Sequence, residues 1–238
     1  MVSIAGSKKL KRQMAPLFWG ITRKDKRFVV TVKPGGHKKD LSIPSAVFVR
    51  DTLKLANTLR EAKSVVYGGK VKIDGIVRKS IHHGIGLMDV VELEGVSEIY
   101  RLVPKDLTVL KPILINNSEK TKKLLKVTKK VTIKGKKMQI GFHDGRTLIS
   151  DVKVNVGDTC LVQVPDTKIV DIIKLEKGAQ VIVTSGVNVG KMGKIEEIKQ
   201  GTFVLLKRAL VDIGDRQIEI PTDLIMAVGK DKPVIQIQ

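Results

Sequence analysis

Between Thr58 and Gly75 the chain has room for one short helix and one short strand, and this brevity limits what can be built around them. Thr58-x-x-Glu61 is a capping box, in which hydroxyl and carboxylate satisfy backbone N–H groups that a first helical turn leaves free. Leu59, Ala62 and Val66 then share an apolar face, while Arg60 and Lys63 point elsewhere. Gly68-Gly69 ends the helix, because glycine tolerates the left-handed conformation found there. Val71 and Ile73 alternate with lysines, and Asp74-Gly75 is a two-residue hairpin turn. Upstream, Ser42 is placed to cap a first helix and Pro44 suits its first turn. Val47, Leu53 and Ala56 would form the apolar face of that helix, with Arg50 and Lys54 one turn apart.

Two small helices followed by KVKIDGIVRKS resemble the alpha-L RNA-binding motif, shared by ribosomal proteins, pseudouridine synthases and tyrosyl-tRNA synthetases. The resemblance implies helices too slight for catalysis that present a basic corner to folded RNA.

Charge points the same way. The 238 residues carry a net charge of +20, with a pI near 10.0, which implies a polyanionic partner. Hydrophobic residues make up 42%, enough for packed cores. The chain lacks an apolar run long enough to span a membrane, and lysines interrupt the first segment where a signal peptide would be apolar. A cytoplasmic protein is therefore expected. Cys160 is the only cysteine, so disulfides within the chain and cysteine-based zinc sites are excluded and a reducing interior is expected. Beside Leu161 and Val162, Cys160 reads as a small core residue of a strand. Aromatics are only 3%, leaving few platforms on which single-stranded bases could stack. Phosphate contact and recognition of folded RNA by shape are favoured instead.

The chain divides into four parts. Residues 1–42 hold eleven bases against two acids, almost half the net charge. They lack helical or strand periodicity apart from Phe28 to Val32, and Phe18 and Trp19 argue against a purely solvated tail. A basic N-terminal arm that orders on RNA is expected, with a core that folds without it. Residues 43–103 segregate their charges: eight bases against three acids from Arg50 to Lys79, then Asp89, Glu92, Glu94 and Glu98 opposed only by Arg101. His82-His83 reads as a solvent- or RNA-facing pair, since neighbours on a strand point opposite ways. Residues 104–173 change to period two, with Met138, Ile140 and Phe142 and then Val152, Val154 and Val156 alternating. Lys120 to Lys137 contains nine lysines and no acid, a solvated or RNA-facing run. His143-Asp144-Gly145-Arg146 reads as a turn; nothing resembling a nucleophile or metal cluster accompanies it. Residues 174–238 are again β, with Phe203-Val204-Leu205-Leu206 and Arg216 to Ile220 as further strands, and are nearly neutral. Within them, Gly186, Gly190 and Gly193 demand a tight turn, but Lys191-Met192 replaces the Gly-Lys-Ser/Thr of a phosphate loop and no helix follows. This loop resembles the KOW motif of small SH3-like barrels in ribosomal proteins and elongation factors.

The order of LKRQMAP, Trp19, PGGH, RDTLKLA, KIDGIVRKS, GLMDVVEL, HDGR and the KOW-like loop resembles one family end to end: small-subunit ribosomal protein four of the archaeal/eukaryotic type, the S4e family. PGGH departs from it slightly, with glycine where proline is expected. The chain stops at Gln238, soon after the last module, which within that family implies an archaeal member. The resemblance implies a multi-domain α+β fold: a basic rRNA-binding arm (1–42), an alpha-L RNA-binding domain (43–103), a central β domain (104–173) and a C-terminal KOW/SH3-like barrel (174–238). It implies a structural, non-enzymatic component of the small ribosomal subunit. Its partners would be small-subunit rRNA and neighbouring small-subunit proteins, with no membrane, small-molecule substrate, metal or cofactor.

The candidate RNA contacts in the arm are Lys8, Lys9, Lys11, Arg12, Arg23, Lys24, Lys26, Arg27, Lys38 and Lys39. The next module supplies Arg50, Lys54, Arg60, Lys63, Lys70, Lys72 and Arg78, and the central one Lys129, Lys130 and Lys136. Three other readings stay open at this point. A KOW-containing transcription or translation factor would engage its target transiently. An RNA-modifying protein would need a large catalytic domain that these short β segments do not supply. A binder of proteins alone would leave +20 unexplained.

Overall fold

A computed structural model describes residues 9–106, 108–214, 216–230 and 232–237. The chain is mostly β, with few helices. Helix α1, Ser45–Val47, is a single turn that widens into a π-helical turn over Phe48–Thr52. Ser42 does not cap it. Ile43–Pro44 pair with Gly84–Ile85, so the backbone stays extended through Pro44, and the buried Ser42 hydroxyl donates to the Lys38 carbonyl at 2.9 Å. Helix α2, Leu59–Tyr67, forms as expected: the Glu61 N–H reaches Thr58 Oγ1 at 3.2 Å, the Thr58 N–H reaches Glu61 Oε2 at 3.3 Å, and Ala62 and Val66 are buried.

Three antiparallel five-stranded sheets follow. The first contains β1 (Val71–Ile73), β2 (Ile76–Val77), β3 (Val90–Leu93), β4 (Ile99–Lys105) and β5 (Thr108–Ile115), in the order β2-β1-β3-β4-β5. Asp74 and Gly75 both take positive φ, +52° and +76°, the geometry that matches a hairpin turn to strand twist. Ile99 pairs with Ile115, so the expected boundary between residues 103 and 104 falls inside β4. The second sheet contains β6 (Lys122–Thr132), β7 (Met138–Phe142), β8 (Thr147–Ile149), β9 (Thr159–Gln163) and β10 (Lys168–Ile173), in the order β8-β7-β6-β9-β10. Its core includes Leu125, Ile140, Val162 and the fully buried Cys160, whose thiol is pushed up to about 11 by burial. The alternating Val152, Val154 and Val156 do not form a strand. Side chains rather than a neighbouring strand meet their backbone, with Lys130 Nζ on the Val154 carbonyl (3.1 Å) and the Asn155 N–H on the Asp158 carboxylate (2.8 Å).

The third sheet contains β11 (Gln180–Val183), β12 (Met192–Lys199), β13 (Arg208–Asp212), β14 (Gln217–Pro221) and β15 (Ile225–Gly229), in the order β14-β13-β12-β11-β15. The glycine-rich loop joins β11 to β12. Phe203 to Leu206 is not a strand but a turn between β12 and β13, closed by the Thr202 N–H on the Leu205 carbonyl at 2.8 Å.

The arm is built into the fold. Leu10, Ala15, Trp19 and Val32 share one core with Val47, Phe48, Ala62, Val66, Val71 and Ile73. Trp19 is only 2% exposed, and its indole N–H donates to the Ser42 carbonyl at 2.9 Å. An aromatic side chain of this size buries enough apolar surface to offset much of the entropy of ordering the segment. The arm thus shares the core of the first module, whereas the expectation is a core that folds without it.

Candidate nucleic-acid interface

Strand alternation places the charges of the first module. Val71 and Ile73 face inward, so Lys70 and Lys72 face outward, and α2 shows Arg60 and Lys63 on its exposed side. Lys54 is exposed just before α2, with φ +56°; Arg78 is half-buried after β2. Arg50 is half-buried and paired with Asp51 at 2.7 Å. In the arm, Lys9, Lys11, Arg23, Lys24, Lys26, Arg27, Lys38 and Lys39 are exposed. Lys9 and Arg27 lie over the Phe28 ring, 5.6 and 5.2 Å from its centre, and Arg23 is steadied by the Gln13 carbonyl at 2.7 Å. Because arm and first module share a core, their cations sit on one body. Lys129, Lys130 and Lys136 are also exposed but belong to the β6–β7 hairpin, over a separate core. Lys8 lies outside the described residues. Arg12 is buried: its guanidinium bonds the Thr22 carbonyl and hydroxyl and lies 3.7 Å from Asp25. It ties the arm together instead of facing out.

The motifs PGGH, KIDG, GLMD and HDGR converge on one buried ionic cluster. Lys123 of β6, 1% exposed, directs its ammonium to Asp74 (2.7 Å), Asp144 (3.2 Å) and Asp89. Arg146 reaches Asp74 at 2.7 Å and Asp144 at 3.2 Å; His37 Nε2 reaches Asp89 at 3.0 Å. With His37 protonated, three cations face three carboxylates. Burial alone would push Lys123 down, but the three carboxylates outweigh it and raise it above the ordinary lysine range. Burial likewise opposes ionisation of Asp89 and Asp144, but the surrounding positive groups, Lys123 first, together with backbone N–H donors more than reverse it, holding both below the usual carboxylate range. The ammonium stands where a cation would sit among the carboxylates. Among the described residues, no group of three or more His, Cys, Asp or Glu is arranged to hold a metal ion.

The cluster joins arm, first sheet and second sheet. The backbones meet without space for side chains: a Cβ on Gly36 would lie 2.2 Å from the Asp144 carbonyl oxygen, and one on Gly145 would lie 2.8 Å from Gly36 Cα. In this chain the backbone at Gly36 leaves no space for a side chain. Two further cations fasten the remaining joints. Lys126 Nζ donates to the carbonyls of Thr222 (2.8 Å), Asp223 (2.8 Å) and Ile225 (2.7 Å) in the third module, and burial lowers it to about 8. The wholly buried Arg101 binds Glu119 (2.8 Å) and the carbonyls of Lys122 (2.9 Å) and Gln236 (3.1 Å).

None of these three cations is among the sequence-derived candidates. The nine-lysine run reads as solvated or RNA-facing, yet Lys123 shares a strand face with Leu125 and Val127, and that parity was the available signal. His82 and His83 are half-buried, and His82 Nδ1 lies 2.7 Å from the Thr31 carbonyl, so His82 helps seat the arm.

Residues 96–169 match the Ribosomal family S4e, and residues 5–40 match the RS4NT (NUC023) domain. A small ribosomal subunit protein eS4 from Ignicoccus hospitalis is 37% identical over 251 residues, covering 100% of this chain and 98% of that protein. The chain belongs to the ribosomal protein S4e family. A second family member, small ribosomal subunit protein eS4 from Pyrobaculum islandicum, is 42% identical over 238 residues, covering 96% of this chain and 98% of that protein. The crystal structure of the 30S ribosomal protein S4e from Thermoplasma acidophilum superposes with a TM-score of 0.68 at 36% identity, covering 81% of this chain and 97% of that one. The S4e membership and the archaeal relatives agree with the sequence reading.

Proposed function

We propose that this protein is a structural constituent of the small ribosomal subunit that grips folded rRNA and performs no chemistry. The observation that carries the reading is the set of exposed cations held on a rigid body by the Lys123 cluster, in a chain of net charge +20 whose full-length relatives are small-subunit proteins. The contacts are Lys9, Lys11, Arg23, Lys24, Lys26, Arg27, Lys38 and Lys39 from the arm, and Arg50, Lys54, Arg60, Lys63, Lys70, Lys72 and Arg78 from the first module. Lys129, Lys130 and Lys136 extend them along the β6–β7 hairpin. Arginine forks hold two phosphate oxygens at once, whereas lysines act as mobile point charges. Arg12 is left out because its side chain is used inside the arm.

In the same reading, α1, α2 and the β1–β2 hairpin serve as the alpha-L module. The third sheet with its glycine loop serves as the SH3-like KOW module. Neighbouring small-subunit proteins complete the surroundings. Sedimentation tests the proposal: the tagged chain should remain with small subunits through a high-salt wash that strips transiently bound factors. Its release with those factors would overturn it.

A further inference from the structure

The turn between β12 and β13 supplies none of the proposed RNA contacts. Its backbone is fixed, since the Leu205 N–H returns to Thr202 Oγ1 at 3.2 Å while the Thr202 N–H donates to Leu205. Its side chains face outward: Phe203 is fully exposed, Val204 84% and Leu206 68%. Consecutive large apolar side chains displayed in this way mark a surface meant to be covered.

Charge indicates what covers it. Residues 174–238 hold ten bases against eight acids, so they carry only two of the chain's twenty excess positive charges. At the base of the turn opens a groove of about 680 Å³, lined by Ile198 and Leu210, by Glu176, Glu196 and Glu197, and by two lysines. Lys199 and Arg208, which flank the turn, are each committed to Glu219 at 3.3 Å. Three carboxylates outnumber the two lysines of the groove, so phosphates gain little there, and the aliphatic side chains beside Phe203 offer bases no hydrogen bonds. A cationic protein gains from both features, apolar cover and opposite charge.

We propose that the β12–β13 turn is the docking surface for a basic protein of the same particle. Apolar side chains of that protein cover Phe203, Val204 and Leu206, and its lysines or arginines face Glu196 and Glu197. The inference rests on the ribosomal reading above, and the test separates the two. A benzoylphenylalanine is placed at position 203 of the full chain, and salt-washed small subunits are irradiated and analysed by mass spectrometry. The expected adduct lies on one Lys/Arg-rich small-subunit protein. Phe203→Ser combined with Leu206→Ser should then weaken that purified partner's binding to the full chain by roughly tenfold or more, with naked-rRNA affinity unchanged. Adducts on rRNA, adducts on a second copy, no adduct in subunits that contain the chain, or equal partner affinity would each overturn the docking surface. Absence of the chain from the subunits would instead overturn the ribosomal reading itself.

Discussion

His37 and His143 lie in one cluster, 6.1 Å apart between ring centres, yet they titrate in opposite directions. His143 Nδ1 accepts the Lys126 N–H at 3.1 Å, so Nε2 carries the hydrogen and donates to the Leu87 carbonyl at 3.2 Å. Burial and then the Lys123 charge push it down to about 4. For His37, burial opposes the charged form, but Asp89 outweighs it and raises the imidazole above its ordinary value. The signs set the pH response. The His37 contribution is complete below the unfolded value of about 6.5 and is lost as pH rises through the folded one. The His143 contribution is complete above about 6.5 and is lost as pH falls towards 4. Just above pH 6.5, therefore, only His37 gives a slope within this pair. Unfolding free energy from denaturant titrations should decline with pH there, and His37→Gln should abolish the decline. An unchanged slope in the variant would remove His37 from the cluster's energetics.

The arm, as an element, makes almost no regular structure, yet it is part of the core. Among the described residues of the arm, one ladder pairs Leu10–Lys11 with Phe28–Val29, and the rest is held by Trp19, by Arg12 and by the PGGH contact with the HDGR turn. Removing the indole leaves a large cavity and frees the segment. Trp19→Ala should cost about 3–5 kcal/mol in unfolding free energy. Circular dichroism during urea titration would measure it, and an unmoved midpoint would return the arm to the role of a tail. At the same scale, the capping box, the Gly68-Gly69 stop and the Asp74-Gly75 turn were readable because each is a local device confined to a few neighbouring residues. Phe203 to Leu206 was misread as a strand because a run of large apolar residues has the same composition whether it is buried in a sheet or displayed on a turn.

Across the whole molecule, cations have two uses that composition does not separate. Lys123, Lys126 and Arg101 are spent on joints between modules, where breaking a buried pair leaves uncompensated charge. The exposed set remains for phosphates. On the ribosomal reading, each neutralised phosphate contributes about −0.7 to −0.9 to the slope of log affinity against log salt. Lys63→Gln should therefore make that slope shallower by roughly this amount for an rRNA fragment, with unfolding free energy unchanged. A slope equal to that of the wild type would place Lys63 outside the interface.

Sequence alone determined helix α2, the Asp74-Gly75 turn, the basic composition and the family, because these depend on residue type, short spacing and motif order. It also supplied PGGH, KIDG, GLMD and HDGR as separate motifs. Only the tertiary structure decided that they meet at one lysine, that the arm is core, and which cations are spent inside. Those outcomes depend on contacts between residues far apart in the chain, such as Lys123 with Asp74 and Trp19 with Ser42. Local pattern carries no information about which distant partner a buried charge will find.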